Sequence, residues 1–250
     1  MLPVDKRAVA QAFGRAAQHY EHHAGLQRQS GDALLALAPA GFGTHLLDAG
    51  CGTGWYSRYW CDRGRTVTAL DLSATMLDTA RAQHSAQYYI QGDIDALPLP
   101  DHSVDGVWSN LAVQWSSDLR LALQQFLRVT RPGGSVLFST LLEGSLHEVH
   151  HAWAQIDGST HANSFPGEAE FTAATVDLPL TSQQQVITLH FPSALSAMRS
   201  LKGTGATHLH EGRGRSVLSR KQLTLLEQHW PQDERGYRLS YHLIYGVLKK

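Results

Sequence analysis

Three carboxylates and a glycine-rich turn carry the first chemical signal. The run Leu46-Leu47-Asp48-Ala49-Gly50-Cys51-Gly52-Thr53-Gly54 is an apolar strand opening into a turn with glycines at alternate positions. Glycine there permits positive φ and close approach of a ligand to the backbone. A helix starting near Gly54 offers unpaired N–H groups to whatever lies in the turn. Asp71 stands 23 residues after Asp48, at the end of the next apolar run, where a nucleoside site needs an acid for the ribose hydroxyls. Gly92-Asp93-Ile94 follows a third run, and there Asp93 suits an exocyclic amine and Ile94 the face of an adenine ring. The glycine spacing is Gly-x-Gly-x-Gly, not the Gly-x-Gly-x-x-Gly of dinucleotide sites. Asp48 precedes the turn, where an acid favours the amino group of a ligand and disfavours a pyrophosphate. The chemistry indicated is the binding of a cationic nucleoside that carries an amino acid.

These groups need strands that end at the ligand and helices that flank them. Short apolar runs alternate with amphipathic stretches, the sign of βαβ units and a mostly parallel sheet. Strands are expected over His45–Ala49, Thr66–Asp71, Gln87–Gln91, Val104–Ser109 and Ser135–Thr140. Helices are expected after the glycine turn to about Asp62, from Ala74 to about His84 behind the N-cap Ser73, and from Asp118 to about Val129. Arg131-Pro132-Gly133-Gly134 should end the last of these. Ahead of the first strand, Val9, Phe13, Ala16, Ala17 and Tyr20 recur at helical spacing and Gly25 interrupts them, so two helices are expected between Val4 and about Leu37. Behind the fifth strand the pattern loosens. Helices are expected over Ser145–Ile156, Ala194–Leu201 and Ser219–Trp230, the last opened by a Ser219-x-x-Gln222 capping box. Strands are expected over Gln184–Phe191 and Tyr237–Leu248, and 169–184 reads as variable surface.

Composition narrows the class. With 250 residues, 42% hydrophobic and 17% charged, the chain suits one α/β domain with decorations. A formal net charge of −1 argues against attachment to nucleic acid or membrane by bulk charge. No apolar run approaches the ~20 residues of a membrane span, and 1–14 lack the apolar stretch of a secretory signal. The only cysteines are Cys51 and Cys61, so a cytoplasmic protein is expected. Among fifteen histidines, His147, His150 and His151 share a helical face. With no carboxylate or thiolate set beside them they read as a solvated face, and no metal is expected.

Leu46–Gly54, Val67–Ser73, Gly92–Ile94, Leu97–Trp115 and Leu127–Thr140 resemble, in order, the motifs of class I S-adenosylmethionine methyltransferases. The resemblance covers roughly the first 140 residues. It implies that Asp48, Gly50, Gly52 and Gly54 hold the methionine part, that Asp71, Leu72 and Met76 surround ribose and adenine, and that Asp93 and Ile94 hold the adenine. Asn110 and Leu111 would back the sulfonium. The implied fold is a Rossmann-like three-layer αβα sandwich with a seven-stranded, mostly parallel sheet, an antiparallel edge strand and an N-terminal helical lid. All of 1–250 then forms one methyltransferase domain, with a helical cap over 1–40 and substrate-side insertions over 141–235.

Three further segments are similar to a narrower family, the malonyl-acyl-carrier-protein O-methyltransferases of biotin synthesis. They are Phe13–Glu21, Ser109–Trp115 and the stretch from Ala194 to Ala206. The resemblance implies methyl transfer to the free carboxylate of a malonyl thioester on acyl carrier protein, with S-adenosylhomocysteine as the other product. A carboxylic acid is already ionised at neutral pH, so no general base is required and catalysis should rest on positioning. Arg199 is the candidate for holding the malonyl carboxylate, because its planar fork matches that group, with Lys202 as a second. Tyr20 would close over cofactor and substrate, Gln114 and Trp115 would line the acyl pocket, and His208 and His210 would border the entrance. Arg213 and Arg215 could face an acidic carrier protein. Two alternatives stay open: another small-molecule methyltransferase such as a quinone C-methylase, which would share only the front half, and a non-catalytic S-adenosylmethionine-binding module. A nucleic-acid methylase is disfavoured, since the fourth strand ends Ser-Asn-Leu-Ala and not Pro-Pro-Tyr.

Overall fold

A computed structural model describes residues 4–157, 159–205 and 219–250. It opens with α1 (Lys6–Ala16), α2 (Tyr20–His23) and α3 (Gly25–Leu35). Three helices replace the expected two because the first pattern breaks at 17–19 and restarts at Tyr20. Asp5 caps α1, its carboxylate accepting from the Ala8 N–H at 2.9 Å.

The βαβ region follows as β1 (His45–Ala49), α4 (Trp55–Cys61), β2 (Thr66–Asp71), α5 (Ala74–Ala82), β3 (Tyr88–Gln91), β4 (Val104–Asn110), α6 (Leu119–Val129) and β5 (Thr130–Leu141). Ser73 caps α5, as expected, accepting from the Met76 N–H. The Arg131–Gly134 segment does end α6, but β5 already begins at Thr130. Val104 pairs with Thr130 and Gly106 with Ser135, so 131–134 bulge out of the ladder.

The back part contains α7 (His147–Ala154), α8 (Glu168–Thr175), β6 (Leu180–Phe191), α9 (Ala194–Gly203), α10 (Arg220–His229), β7 (Gln232–Asp233) and β8 (Gly236–Lys249). The Ser219–Gln222 box forms reciprocally, at 3.0 and 3.2 Å. The stretch read as variable surface holds α8 and the first turns of β6. Of those β6 residues, Thr181 to Gln185 are polar and exposed, so no apolar run marks them; backbone pairing with β8 makes them a strand.

The sheet order is β3-β2-β1-β4-β5-β8-β6. The first five strands are parallel, and β8 runs antiparallel to both β5 and β6. Seven strands form the path, and the two-residue β7, a hairpin partner of β8, adds an eighth. Side chains alternate across the sheet. Leu46, Trp108, Leu137 and Leu243 join a core with α4, α7 and α9, whereas Leu47, Val107, Phe138 and Ile244 join another with α6 and α8. The result is the expected three layers.

The strand order reverses between β1 and β4. Open α/β sheets bind ligands at that crevice, beyond the carboxyl ends of the strands. Here α3 lies across it. Ser30 donates to Asn110 Oδ1 at 2.8 Å, and Asn110 Nδ2 donates to the Gln27 carbonyl at 2.8 Å. On α3, Gly31 sits flush on Tyr56, where a Cβ would meet the ring at 2.0 Å.

Candidate active site

The glycine turn is shaped by conformation and by space. Gly50, Gly52 and Gly54 have φ of 82°, 55° and 88°. A Cβ on Gly50 would lie 2.3 Å from the Ala112 methyl, and one on Gly54 2.1 Å from Ser85 Oγ. The N–H groups of Gly50 and Cys51 both donate to the Leu70 carbonyl, at 2.8 and 3.0 Å, and tie the turn to the end of β2.

Asp71, at that end, accepts from the Gly52 N–H at 2.9 Å and the Ser73 N–H at 2.8 Å. Burial raises its carboxyl above the usual range, and these N–H bonds work against the rise. Its carboxylate therefore braces the turn while bordering the cavity where a ribose would lie. Asp48 is 3% exposed and accepts from the Ser57 hydroxyl at 2.5 Å. Burial pushes its carboxyl up to about 7, against the Ser57 hydrogen bond, and nearby Asp71 adds to the push.

The end of β4 forms the opposite wall. Leu111 adopts φ of 53°, unusual for a branched residue and held by a hydrogen bond from its N–H to Ser139 Oγ at 3.0 Å. Gln114 Nε2 donates to the Leu111 carbonyl at 2.8 Å. The Asn110 side chain is committed elsewhere, accepting from Ser30 and Ser139 and donating to Gln27. It pins α3 onto the strand ends, and the residue borders two of the three cavities that meet there.

Three adjoining cavities occupy the crevice. One is lined by Asp71, Leu72, Asp93 and Ile94, and also by Leu111 and Trp115. A second lies over Asp48, Gly50 and Gly52. The third is bordered by Gln114, Trp115, Leu141, Phe165, Leu189 and Leu201. Tyr20 borders all three. Burial holds its phenol well above the usual value, with Asp71 and then Glu21 adding, so the group is a neutral hydroxyl donor.

Several expected residues stand elsewhere. Met76 is fully buried and borders none of the three cavities, because α5 turns it into the core beneath them. Arg199 and Lys202 are exposed. On α9 the inner face is Ala197, Ser200 and Leu201, so the two cations project from the outer face and do not meet the cavity. Ser200, Leu201 and Thr204 border it instead. His208, His210, Arg213 and Arg215 lie outside the described residues. His147 and His151 are exposed and His150 half-buried.

Other participants escaped the sequence reading. Lys6, on α1, pairs with Asp93 at 2.8 Å and Asp95 at 2.7 Å, so the cap is anchored on the acid assigned to adenine. Arg28, Glu21, Gln27, His23 and Asn163 border the cavities. For Arg28 a signal existed: it follows the cavity-side Gln27 on a helix whose inward face is Leu26, Ser30, Gly31 and Leu34.

The raised Asp48 carboxyl has a measurable consequence. A cationic amino group bound beside it stabilises the ionised form, so ligand affinity should fall as pH drops below about 7, by up to tenfold per pH unit, with proton release on binding near pH 6. In the ligand-free protein the sign is opposite for stability. A carboxyl raised by folding retains its proton in the folded state, so stability declines as pH climbs from the usual carboxylate range toward about 7. Calorimetric titration with S-adenosylhomocysteine in buffers of different ionisation enthalpy measures the proton release, and Asp48→Asn should remove it.

A parallel order β3-β2-β1-β4-β5 closed by an antiparallel strand, with a glycine turn after β1 and an acid ending β2, defines a Rossmann-like S-adenosylmethionine-dependent methyltransferase fold. Residues 47–138 match the family described as a methyltransferase domain. Among solved structures, a putative methyltransferase bound to the Trm112 activator of Haloferax volcanii superposes with a TM-score of 0.61 at 23% identity, covering 97% of this chain and 98% of that one. A malonyl-acyl-carrier-protein O-methyltransferase of Erwinia billingiae is 57% identical over 250 residues, 100% of both chains. The protein of the same name from Erwinia pyrifoliae is 55% identical over 247 residues, covering 99% of this chain and 94% of its own. The chain belongs to the malonyl-acyl-carrier-protein O-methyltransferase family. No helix among the described residues is long and apolar enough to cross a membrane.

Proposed function

We propose that this protein transfers the methyl group of S-adenosylmethionine to the free carboxylate of a malonyl thioester carried by acyl carrier protein. The products are S-adenosylhomocysteine and the malonyl methyl ester that primes pimeloyl synthesis toward biotin. The observation that carries the reading is end-to-end identity of 57% with a protein of that activity. The glycine cradle, Asp71 and the apolar Leu72 and Ile94 suit the nucleoside, and Asp48 suits the amino group of the methionine part. Free thiols at Cys51 and Cys61 fit a reducing compartment such as the cytoplasm.

When bound, S-adenosylmethionine supplies a methyl group on a cationic sulfur. The chain's own residues then have three tasks. Asp48, Asp71 and the glycine turn hold the cofactor at the strand ends. The α1–α3 cap, fastened by Asn110 and by Lys6, keeps water from the junction of the cavities. The third cavity admits the acyl group alongside Leu111 and Trp115. No Lys or Arg borders that cavity among the described residues. The donors that the described residues bring to it are uncharged, Tyr20, Gln114 and Asn163 among them, and against these the malonyl carboxylate keeps the negative charge with which it attacks. Arg199 and Lys202, exposed on α9 beside the cavity, suit the surface of the carrier protein better than the malonyl group itself.

Methyl transfer from radiolabelled S-adenosylmethionine to malonyl- and acetyl-acyl carrier protein tests the reading. Label is expected on the malonyl form alone, because the acetyl form lacks the carboxylate. Failure to label either form, with cofactor still bound, would move the activity to another acceptor.

A further inference from the structure

Leu141, Leu146, Phe165, Leu189 and Tyr241 border the third cavity and neither of the other two, so they stand on its side away from the cofactor. Tyr241 brings a hydroxyl to this apolar group. It is 5% exposed, and that hydroxyl has no hydrogen-bond partner among the described residues. A buried hydroxyl without a partner is costly, and natural proteins rarely leave one unless something else fills the place. Two other hydroxyls border the cavity, but both are spent: Ser200 donates to the Ala197 carbonyl at 2.7 Å and Thr204 to the Leu201 carbonyl at 3.1 Å. Burial, and after it Glu148, raise the Tyr241 phenol above its usual value, so the group stays a hydroxyl donor. The backbone beside it is clamped. Fully buried Glu148 accepts from the Ser240 N–H at 2.9 Å and the Ser240 hydroxyl at 2.6 Å, and the Leu146 N–H donates to the Ser240 carbonyl at 2.8 Å. Tyr241 itself pairs with Ile187 in the β6–β8 ladder. The phenol is therefore set before any ligand arrives.

We infer that Tyr241 donates a hydrogen bond to the thioester carbonyl of the bound acyl group and makes the site selective for acyl groups whose carbonyl stands one methylene from the carboxylate. This rests on the reaction proposed above. A malonyl thioester has two polar ends, the carboxylate and the carbonyl oxygen, with one methylene between them. The carboxylate has to face the methyl donor, so it lies where Tyr20, Leu111 and Trp115 border both the first and the third cavity. The carbonyl oxygen then lies further into the third cavity, among apolar side chains. Burying it there without a donor would cost free energy, and Tyr241 supplies the donor. Two fixed points along the acyl group also orient the carboxylate for transfer.

Tyr241→Phe keeps the ring and removes only the oxygen. With malonyl-acyl carrier protein its kcat/KM should fall about 10- to 100-fold, the range for a buried acceptor left without its donor. Calorimetric titration with S-adenosylhomocysteine should stay within about twofold of wild type, because Tyr241 borders neither cofactor cavity. Two carrier-protein conjugates, used as competitors of malonyl transfer, separate a hydrogen bond from a structural role. The 2-carboxyethyl thioether keeps the carboxylate and the chain length and lacks the carbonyl oxygen. The succinyl thioester moves the carbonyl one methylene further from the carboxylate. The inhibition constant of each should agree within about twofold between wild type and Tyr241→Phe, since neither can use the hydroxyl. Unchanged kcat/KM for the malonyl form overturns the inference alone. An equal loss for the malonyl form and both competitors overturns it too, because the phenol would then only shape the wall, and so does a matching loss of S-adenosylhomocysteine affinity. Wild-type protein that binds S-adenosylhomocysteine and leaves malonyl-acyl carrier protein unmethylated overturns the reaction reading along with it.

Discussion

Asp71→Asn is expected to weaken S-adenosylhomocysteine binding by about 100- to 1,000-fold while the protein stays folded. Two ribose hydroxyls that donate to a carboxylate each gain about 1.5–2 kcal/mol over a neutral acceptor or water, near the lower end of the charged-group range. Asn retains one oxygen for the Gly52 N–H and so keeps the brace on the turn, while the Ser73 N–H, which meets the other oxygen, loses its acceptor at a cost of about 1–2 kcal/mol. The larger loss should therefore appear in binding, with a drop of a few degrees in thermal unfolding. Calorimetry together with a melting curve separates the two. Retention of affinity within fivefold would show that Asp71 braces the turn and does not meet the ribose.

Gly50→Ala is expected to damage both stability and binding. At φ of 82° an alanine is strained by about 1–2 kcal/mol. The new methyl would lie 2.3 Å from that of Ala112, and forcing such an overlap apart costs about 1–3 kcal/mol more. The Ala112 loop follows the end of β4 directly, so relief there displaces Leu111, whose left-handed backbone borders two of the cavities. A total of about 2–5 kcal/mol corresponds to a melting temperature lower by roughly 5–15 °C for a chain of this size. Denaturant titration gives the energy directly. A loss below about 1 kcal/mol would mean that the turn can re-form around a side chain, and that its glycines serve ligand approach alone.

The position of the cofactor crevice was legible because its signals are local. Strand, glycine turn and helix start lie within nine consecutive residues, and the caps at Ser73 and Ser219 act on N–H groups three residues away. Short continuous apolar runs alternating with amphipathic stretches marked the parallel strands for the same reason. The Asp48, Asp71 and Asp93 set followed from strand ends, since a parallel sheet brings those ends to one edge whatever happens between them.

The parts that stayed hidden depend on partners distant in the chain. Lys6 and Asp93 are 87 positions apart, and Ser30 and Asn110 are 80. No pattern in either segment announces the other. The polar half of β6 is a strand only because β8 pairs with it. Arg199 shows the point most clearly. Residue type made it the natural partner for a carboxylate, but type says nothing about which side of a helix meets a cavity. On α9 that side is chosen by the small and apolar Ala197, Ser200 and Leu201, which pack inward and leave Arg199 in solvent, where its charge keeps its hydration. Sequence alone thus determined where the glycine turn and the carboxylates stand at the strand ends, and the sheet that carries them, because both arise from short-range backbone preferences. Tertiary packing alone decided which side chains close over the crevice, because burial and pairing across the chain, not identity, set which way each one faces.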